Sequence, residues 1–353
     1  MLTARAFGYL ADYVLWWLLF FSLVVHTWCF FKFFPRERRR GLALVLGNLL
    51  VLLCLLGAVG LAGESYFRFV CVETDAYGVS LPARRWFVLN TKLNSLGCRD
   101  VEWSTDKPPG VRRIAFIGDS FTYGWGIERV EDRFTDMIGA RLNQRSPGTY
   151  EVMNVAKPGW DTKAQLTPLR DIISQYSVDE IVLCYVANDL DTLLPGSGDS
   201  DPLRVPEPLL FDPDRSCLVD YLYRTLYLPR LPAVREYKKL LARAYADDAI
   251  RRQQGARLLA IREQCLQQGV ELRVVLLPML QMLNGDFDHG RVLSLLGEVF
   301  EPRQIRVLDL LPALNGYAPA DLTLNRRDAH PNALAHKLFA EAMWQAFYET
   351  PTS

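Results

Sequence analysis

Two long apolar stretches at the start of the chain differ from everything that follows. The first runs from Tyr13 to Phe31 and the second from Leu42 to Gly63, with Asn48 as the one strongly polar residue of the second. Each approaches the roughly 20 residues that a helix needs to cross the hydrocarbon core of a bilayer. A signal peptide is disfavoured for the first stretch, because Arg5 alone precedes it as a basic residue and Asp12 adjoins it. The pattern therefore predicts two transmembrane helices.

The short loop between the two stretches predicts their orientation. Its basic residues are Lys32, Arg36, Arg38, Arg39 and Arg40. Because basic loops favour the cytoplasmic side, both ends of the anchor are predicted to face outward, and everything after Gly63 to be extracytoplasmic. His26 and Asn48 are expected to form hydrogen bonds between the two helices.

The remainder of the chain alternates apolar runs of strand length with segments of helical period. The predicted strands are Arg113–Ile117, Tyr150–Val155, Glu180–Val186, Glu271–Leu277 and Ile305–Leu310. The predicted helices are Glu131–Gln144, Thr162–Tyr176, Ala233–Gln268 and Asn332–Tyr348, the last of them begun by Pro331. Strands that alternate with helices predict an α/β fold, a three-layer sandwich around a central parallel sheet.

These patterns predict three segments along the chain. Residues 1–63 form a membrane anchor, residues 64–112 an extracytoplasmic connector, and residues 113–353 the α/β domain. Within that domain, residues 189–232 contain many Pro and Asp residues and have no clear period. We expect them to be an insertion that shapes a substrate cleft or a lid.

Charge and cysteine content narrow the classes of function. Lys+Arg and Asp+Glu both total 40, so no basic excess supports nucleic-acid binding. The seven cysteines include no Cys-x-x-Cys pair, so zinc or thioredoxin-type chemistry has no support, although Cys71 and Cys98 could form a disulfide. His289 lies near Asp286 and Asp288, but an ordinary loop is favoured there over a metal or lid site. No metal and no cofactor are predicted.

Four polar loops carry the residue types that acyl transfer requires. Ser120 directly follows the first strand, Gly159 the second and Asn188 the third. Asp328 and His330 stand just before the last helix. Loops that follow parallel strands meet at the carboxyl edge of the sheet, where ligand sites of α/β proteins lie. Together they supply a nucleophile, a base beside a carboxylate, and donors for a tetrahedral oxyanion.

In this order the four loops resemble the sequence blocks of the SGNH-hydrolase superfamily, the GDSL esterases and lipases. The resemblance implies a flavodoxin-like sheet and a catalytic triad with Ser120 as nucleophile, His330 as base and Asp328 as orienting acid. It further implies that the N–H groups of Ser120 and Gly159 and the amide of Asn188 hold the oxyanion.

The chain departs from the usual blocks at two positions. Phe121 replaces the usual Leu after Gly-Asp-Ser, and Arg327 occupies the position three residues before the His, where an Asp is usual. Asp328 stands two residues before it, a spacing similar to that of some SGNH proteins that act on polysaccharide acetyl groups. Asp119 is expected to brace the loop, and Asn94–Asp100 resembles a lead-in segment of membrane-tethered bacterial members.

The favoured function is therefore a membrane-anchored serine ester hydrolase that removes an acyl group, with acetyl as a candidate, from an extracytoplasmic glycan or lipid. An O-acyltransferase with the same triad is the second hypothesis. Its cytoplasmic acyl donor would require a multi-span membrane partner, because two helices enclose no path for it. A non-catalytic glycan-binding scaffold is the third, since a fold alone does not prove activity.

Overall fold

The computed structural model describes residues 2–34, 41–76, 80–194, 216–227, 230, 232–283 and 287–349. The predicted basic loop from residue 35 onward and much of the predicted insertion lie outside the described residues. Two compact units are formed. The first comprises Met1–Glu73, Tyr77–Arg85 and Val205–Pro229, and the second comprises Thr74–Ala76, Trp86–Arg204 and Arg230–Ser353.

Helices form the first unit, and strands alternate with helices through most of the second. The helices are α1 (Leu2–Phe33), α2 (Leu42–Ser65), α3 (Leu81–Asn90), α4 (Ser120–Tyr123), α5 (Phe134–Arg145), α6 (Thr162–Tyr176), α7 (Cys217–Leu222), α8 (Pro232–Ala244), α9 (Asp248–Gln267), α10 (His289–Phe300), α11 (Pro319–Leu322) and α12 (Ala333–Phe347). The strands are β1 (Arg112–Gly118), β2 (Tyr150–Ala156), β3 (Glu180–Val186), β4 (Glu271–Leu277), β5 (Val307–Asp309), β6 (Thr323–Asn325) and β7 (Asp328–Pro331).

A five-stranded sheet in the order β2-β1-β3-β4-β5 lies at the centre of the second unit. All four neighbouring pairs are parallel. The central strand β3 is buried along its whole length, as expected for a strand whose sheet is covered by helices. Helix α5 packs against α12, and α6 packs against α9. The predicted α/β fold with a central parallel sheet is confirmed, and the strand order is that of flavodoxin-like folds.

Two predicted helix boundaries are wrong for local reasons. The predicted helix 233–268 is two helices, α8 and α9, because the carboxylate of Asp247 accepts two N–H groups at the start of α9 and caps a new helix. Pro331 does not begin the last helix but ends β7, and the side chain of Asn332 caps α12 instead. Helix α3 lies within the predicted connector, and α10 in a region without a predicted helix.

Helices α1 and α2 are antiparallel neighbours in the first unit. The hydroxyl of Tyr13, near the start of α1, lies 2.7 Å from Oγ of Ser65 at the end of α2. His26, in contrast, bonds within its own helix, with Nδ1 2.7 Å from the carbonyl oxygen of Ser22. The prediction that His26 links the two helices is therefore wrong.

Both helices are long and apolar enough to cross a membrane. The segments Leu10–Phe33 and Leu42–Val70 each contain an 18-residue window of high mean hydropathy, 1.9 in the first and 2.7 in the second. The second is longer than predicted, because the helix continues past Ser65 into a wider π-helical turn at Tyr66–Val70.

The disulfide considered between Cys71 and Cys98 is not formed. Both residues are buried, and neither takes part in a disulfide. Burial raises the pKa of Cys98 to about 11, with the charge of Asp100 adding to the effect and that of Lys157 opposing it. This thiol therefore stays protonated near neutral pH, which makes it a poor nucleophile.

Candidate active site

Ser120 begins the short helix α4 at the carboxyl end of β1, where it is 9 % exposed. The fully buried Asp119 precedes it, and Oδ1 of Asp119 accepts the N–H of Phe121 at 2.9 Å. Gly118 allows this tight turn, because a Cβ at that position would lie 2.2 Å from Oγ1 of Thr122. The local sequence thus places a serine hydroxyl at the edge of the sheet, and Asp119 has the bracing contacts predicted for it.

Ser120, His330 and Asp328 form a continuous hydrogen-bonded chain. Nε2 of His330 lies 2.8 Å from Oγ of Ser120, and Nδ1 lies 2.5 Å from Oδ1 of Asp328. Asp328 and His330 are two residues apart on strand β7, and alternate residues of a strand point to the same face. The extended backbone therefore explains how an acid at this unusual spacing reaches the imidazole.

The second oxygen of Asp328 is held by residues that the sequence analysis missed. The indole N–H of Trp125 donates to Oδ2 of Asp328 at 3.1 Å, and the side chain of Thr74 also bonds to this carboxylate. The backbone N–H of Trp125 donates to the carbonyl oxygen of Ser120 at 3.0 Å. Trp125 therefore connects the serine turn to the buried acid. The signal that could have found it is its closeness to Ser120 in sequence, since a buried indole N–H usually finds a partner.

Burial and neighbouring charges act in opposite directions on the two titrating groups. Burial lowers the pKa of His330, but the carboxylates of Asp328 and Asp119 raise it, and the net result lies above the usual value. Burial raises the pKa of Asp328, but His330 and the hydrogen bond from Thr74 lower it, and the net result lies below the usual value. The arrangement favours a charged carboxylate beside a more basic imidazole.

Asn188 and Gly159 follow the two strands that flank β1. Asn188 lies in the turn after β3, and its Nδ2 donates to Oδ2 of Asp119 at 3.2 Å. An amide nitrogen carries two hydrogens, so the second is available for another acceptor. Gly159 lies after β2 with a φ of 78°, in the left-handed region that glycine adopts without strain. The sheet thus gathers both residues at the edge that carries Ser120.

His289 pairs with a carboxylate of the second unit that is not part of the Ser120–His330–Asp328 chain. Its Nε2 lies 2.8 Å from Oδ1 of Asp309. Asp288 is paired with Arg291 at 3.3 Å, and Asp286 lies outside the described residues. Among the residues that the structure describes, no group of three or more His, Cys, Asp or Glu side chains could hold a metal ion.

Comparisons with known proteins match one family over more than half of the chain. Residues 116–338 match the profile of the GDSL-like lipase/acylhydrolase family. Similar solved structures include TesA, at 13 % identity and a TM-score of 0.42 over 67 % of this chain and 98 % of that one. A lipase, Lip_vut3, from a goat rumen metagenome has 15 % identity and a TM-score of 0.45 over 67 % and 98 %. A catalytic mutant of the acetylxylan esterase Axe2 from Geobacillus stearothermophilus has 14 % identity and a TM-score of 0.43 over 69 % and 98 %. The comparison with curated proteins found no match.

Proposed function

We propose, because this chain belongs to the GDSL-like lipase/acylhydrolase family of esterase-type hydrolases, that it cleaves an acyl ester through an acyl-enzyme on Ser120. The observation that supports this best is the hydrogen-bonded chain from Ser120 through His330 to Asp328, at 2.8 and 2.5 Å. A serine hydroxyl is a weak nucleophile unless an adjacent base takes its proton. These three residues supply the hydroxyl, the base and the carboxylate that orients the base.

In the proposed reaction, Oγ of Ser120 attacks the ester carbonyl while Nε2 of His330 takes the hydroxyl proton. The charge of Asp328 stabilises the imidazolium and fixes which nitrogen carries the proton. His330 then gives the proton to the leaving alcohol, and the acyl group stays on Ser120. Water enters with His330 again as base, the carboxylic acid leaves, and Ser120 is restored.

Backbone and amide donors are proposed to hold the negative charge of the tetrahedral intermediate. The donors are the N–H groups of Ser120 and Gly159 and the side-chain amide of Asn188. Because Asp119 accepts one N–H of Asn188, the amide is already oriented before the substrate arrives. Donors that are fixed in advance need no reorganisation when charge develops, which is why they lower the barrier.

Asn188→Ala is expected to lower kcat by about 10²–10³-fold, the usual effect of losing one oxyanion donor. KM should change little, because the donor acts mainly in the transition state. Steady-state kinetics with a soluble acetyl ester measures both constants. Asn143→Ala is the matched control, since the amide of Asn143 donates to the backbone carbonyls of Gly139 and Tyr150. An unchanged kcat in Asn188→Ala would remove this residue from the oxyanion hole.

The pH dependence of kcat/KM should report the protonation of His330. The base must be neutral, so activity is lost as pH falls through its pKa. Because the carboxylates of Asp328 and Asp119 raise that pKa above 6.5 despite the opposing effect of burial, the midpoint of the acidic limb should lie above 6.5. A pH profile of the wild-type protein measures it, and a midpoint at or below 6.5 would contradict this electrostatic assignment.

Trp125→Phe keeps an aromatic ring but removes the donor to Oδ2 of Asp328. We expect kcat to fall by about 10- to 100-fold, the effect of losing a buried hydrogen bond to a charged group. Trp103→Phe is a matched control, because the indole of Trp103 donates to Asp100 at 2.8 Å. If both variants kept wild-type kcat, or lost it equally, Trp125 would have no specific part in positioning the acid.

The membrane anchor is also a proposal. It assigns residues 1–63 to the anchor, 64–112 to an extracytoplasmic connector and 113–353 to the catalytic domain, with an insertion at about 189–232. The length and apolarity of α1 and α2 support the spans, and the basic residues between them support the orientation. The substrate would then be an acyl ester outside the cytoplasm, such as an O-acetyl group on a glycan, or a lipid ester.

The test of this function uses the full-length protein in detergent micelles with a small acetyl ester as substrate. We expect hydrolysis that a fluorophosphonate, a reagent for activated serines, abolishes. A folded protein that neither hydrolyses the ester nor reacts with the reagent would overturn the proposal. The partner-dependent acyltransferase or the non-catalytic scaffold would then take its place.

A further inference from the structure

The end of the second long helix has polar side chains inside and apolar side chains outside. Glu64 and Arg68 are only 2 % and 7 % exposed and lie 2.7 Å apart, whereas Phe69 and Val70 are 54 % and 63 % exposed. A surface that faces water normally exposes its charged residues and buries its large apolar ones. The reversed arrangement indicates surroundings other than water.

The segment 216–227 of the same unit has the same reversed arrangement. Asp220 and Arg224 form an ion pair at 2.7 Å, and their side chains are 6 % and 11 % exposed. Leu222 and Tyr227 are 44 % and 55 % exposed. Two successive helical turns of this segment therefore direct charge inward and apolar surface outward.

Hydrogen bonds to Glu64 link the two segments. Its Oε2 accepts the hydroxyl of Ser216 at 2.8 Å and the N–H of Leu218 at 2.9 Å, and its Oε1 accepts the N–H of Cys217 at 3.1 Å. Arg68 donates to Oε1 as well, at 2.8 Å. A buried carboxylate with this many donors is well compensated. The exposed apolar side chains of both segments therefore belong to one structured surface.

The length of the second helix indicates what covers this surface. Leu42–Val70 has 29 residues, which at about 1.5 Å per residue gives a helix of about 43 Å. The hydrocarbon core of a bilayer is only about 30 Å thick, so about nine residues project beyond it. If the helix enters the core near Leu42, next to the basic loop, then Glu64–Val70 lies where lipid headgroups meet acyl chains. Aromatic and apolar side chains are favoured at that level.

We propose that the exposed side chains of these two segments form a lipid-binding surface that inserts into the extracytoplasmic leaflet at the boundary of headgroups and acyl chains. The surface consists of Tyr66, Phe69, Val70, Leu222, Leu226 and Tyr227. Its continuity with the apolar helix and its buried charges favour lipid over a protein partner. This inference rests on the proposed membrane anchor. It makes residues 216–227, which lie within the predicted insertion, a second point of contact with the bilayer.

Site-specific photo-crosslinking in cell membranes tests this surface. The full-length protein carries p-benzoylphenylalanine in place of one exposed aromatic residue at a time. The tested positions are Phe69 and Tyr227, the control within the first span is Phe21 (67 % exposed), and the control in the second unit is Tyr317 (43 % exposed). All four replacements exchange one exposed aromatic ring for another. After irradiation, mass spectrometry measures the yield of phospholipid adducts at each position.

We expect Phe21, Phe69 and Tyr227 to give phospholipid adducts at roughly tenfold or higher yield than Tyr317, because an interfacial surface partitions into lipid. Adducts at Phe21 with none at Phe69 and Tyr227 would overturn the lipid-binding surface and leave the membrane spans standing. Adducts of Phe69 or Tyr227 with another polypeptide instead of lipid would also overturn it. A yield at Phe21 as low as that at Tyr317 would reject the spans and the surface together.

Discussion

Ser120→Ala is expected to lower kcat by at least about 10⁴-fold and to leave the fold intact. The substitution removes the oxygen that His330 contacts at 2.8 Å, and with it the proposed nucleophile. What activity is left would come from substrate binding and from the oxyanion donors acting on water. Initial rates with a small acetyl ester measure the loss, and thermal unfolding checks the fold.

The matched control for this substitution is Ser174→Ala. The hydroxyl of Ser174 is exposed and bonds to the carbonyl oxygens of Arg170 and Asp171 in its own helix. This variant should keep the wild-type kcat. A Ser120→Ala protein that retained activity within tenfold of the wild type would show that another group attacks the ester.

Asp328→Asn is expected to lower kcat by about 10³–10⁴-fold, nearly as much as loss of the nucleophile. An amide oxygen carries no full charge to stabilise the imidazolium of His330. An amide nitrogen at the same position would leave Nδ1 of His330 facing a donor, which favours the wrong tautomer. Because Asp328 is fully buried, solvent cannot replace the lost charge. Steady-state kinetics and thermal unfolding measure the effect.

A second His–Asp pair in the same unit supplies the control for that variant. His289 contacts Asp309 at 2.8 Å and has no part in the proposed mechanism. Asp309→Asn should therefore lower the thermal stability of the protein but leave kcat within a few-fold of the wild type. Equal losses of kcat in the two variants would indicate a general effect on folding, and would remove Asp328 from the triad.

The fold and the candidate loops could be predicted because both depend on local patterns. The strands β3 and β4 coincide with their predicted bounds, since runs such as Glu180–Val186 are apolar and bordered by polar turns. Ser120, Gly159 and Asn188 each follow a strand of one parallel sheet, and the topology of such a sheet gathers them at one edge. No knowledge of side-chain contacts was needed for that step.

Side-chain contacts that join distant parts of the chain could not be predicted. Trp125 and Asp328 are 203 residues apart, and nothing near Asp328 in sequence indicates that an indole donates to it. Glu64 and Ser216, in the first unit, are 152 residues apart. In isolation Glu64 is simply a polar residue after an apolar stretch. Such pairings depend on tertiary packing, which no periodicity of the sequence encodes.

The backbone conformation around Asp328 was also beyond local prediction. A helix beginning at Pro331 would leave Asp328 and His330 in a loop of undefined geometry. The structure instead places both on β7, paired with β6, so that their side chains share one face. The spacing of two residues between acid and base departs from the usual sequence block, but it is the natural spacing of two residues on one face of a strand.

The most direct measurement of the central claim is the site at which a fluorophosphonate modifies the full-length protein. Peptide mass spectrometry after partial reaction identifies the modified residue, and the remaining esterase activity is measured on the same samples. The account predicts one stable adduct on Ser120, with activity lost in proportion to its formation and no adduct in Ser120→Ala. Activity that persists when Ser120 is fully modified, or inactivation through an adduct on a different residue, would contradict it.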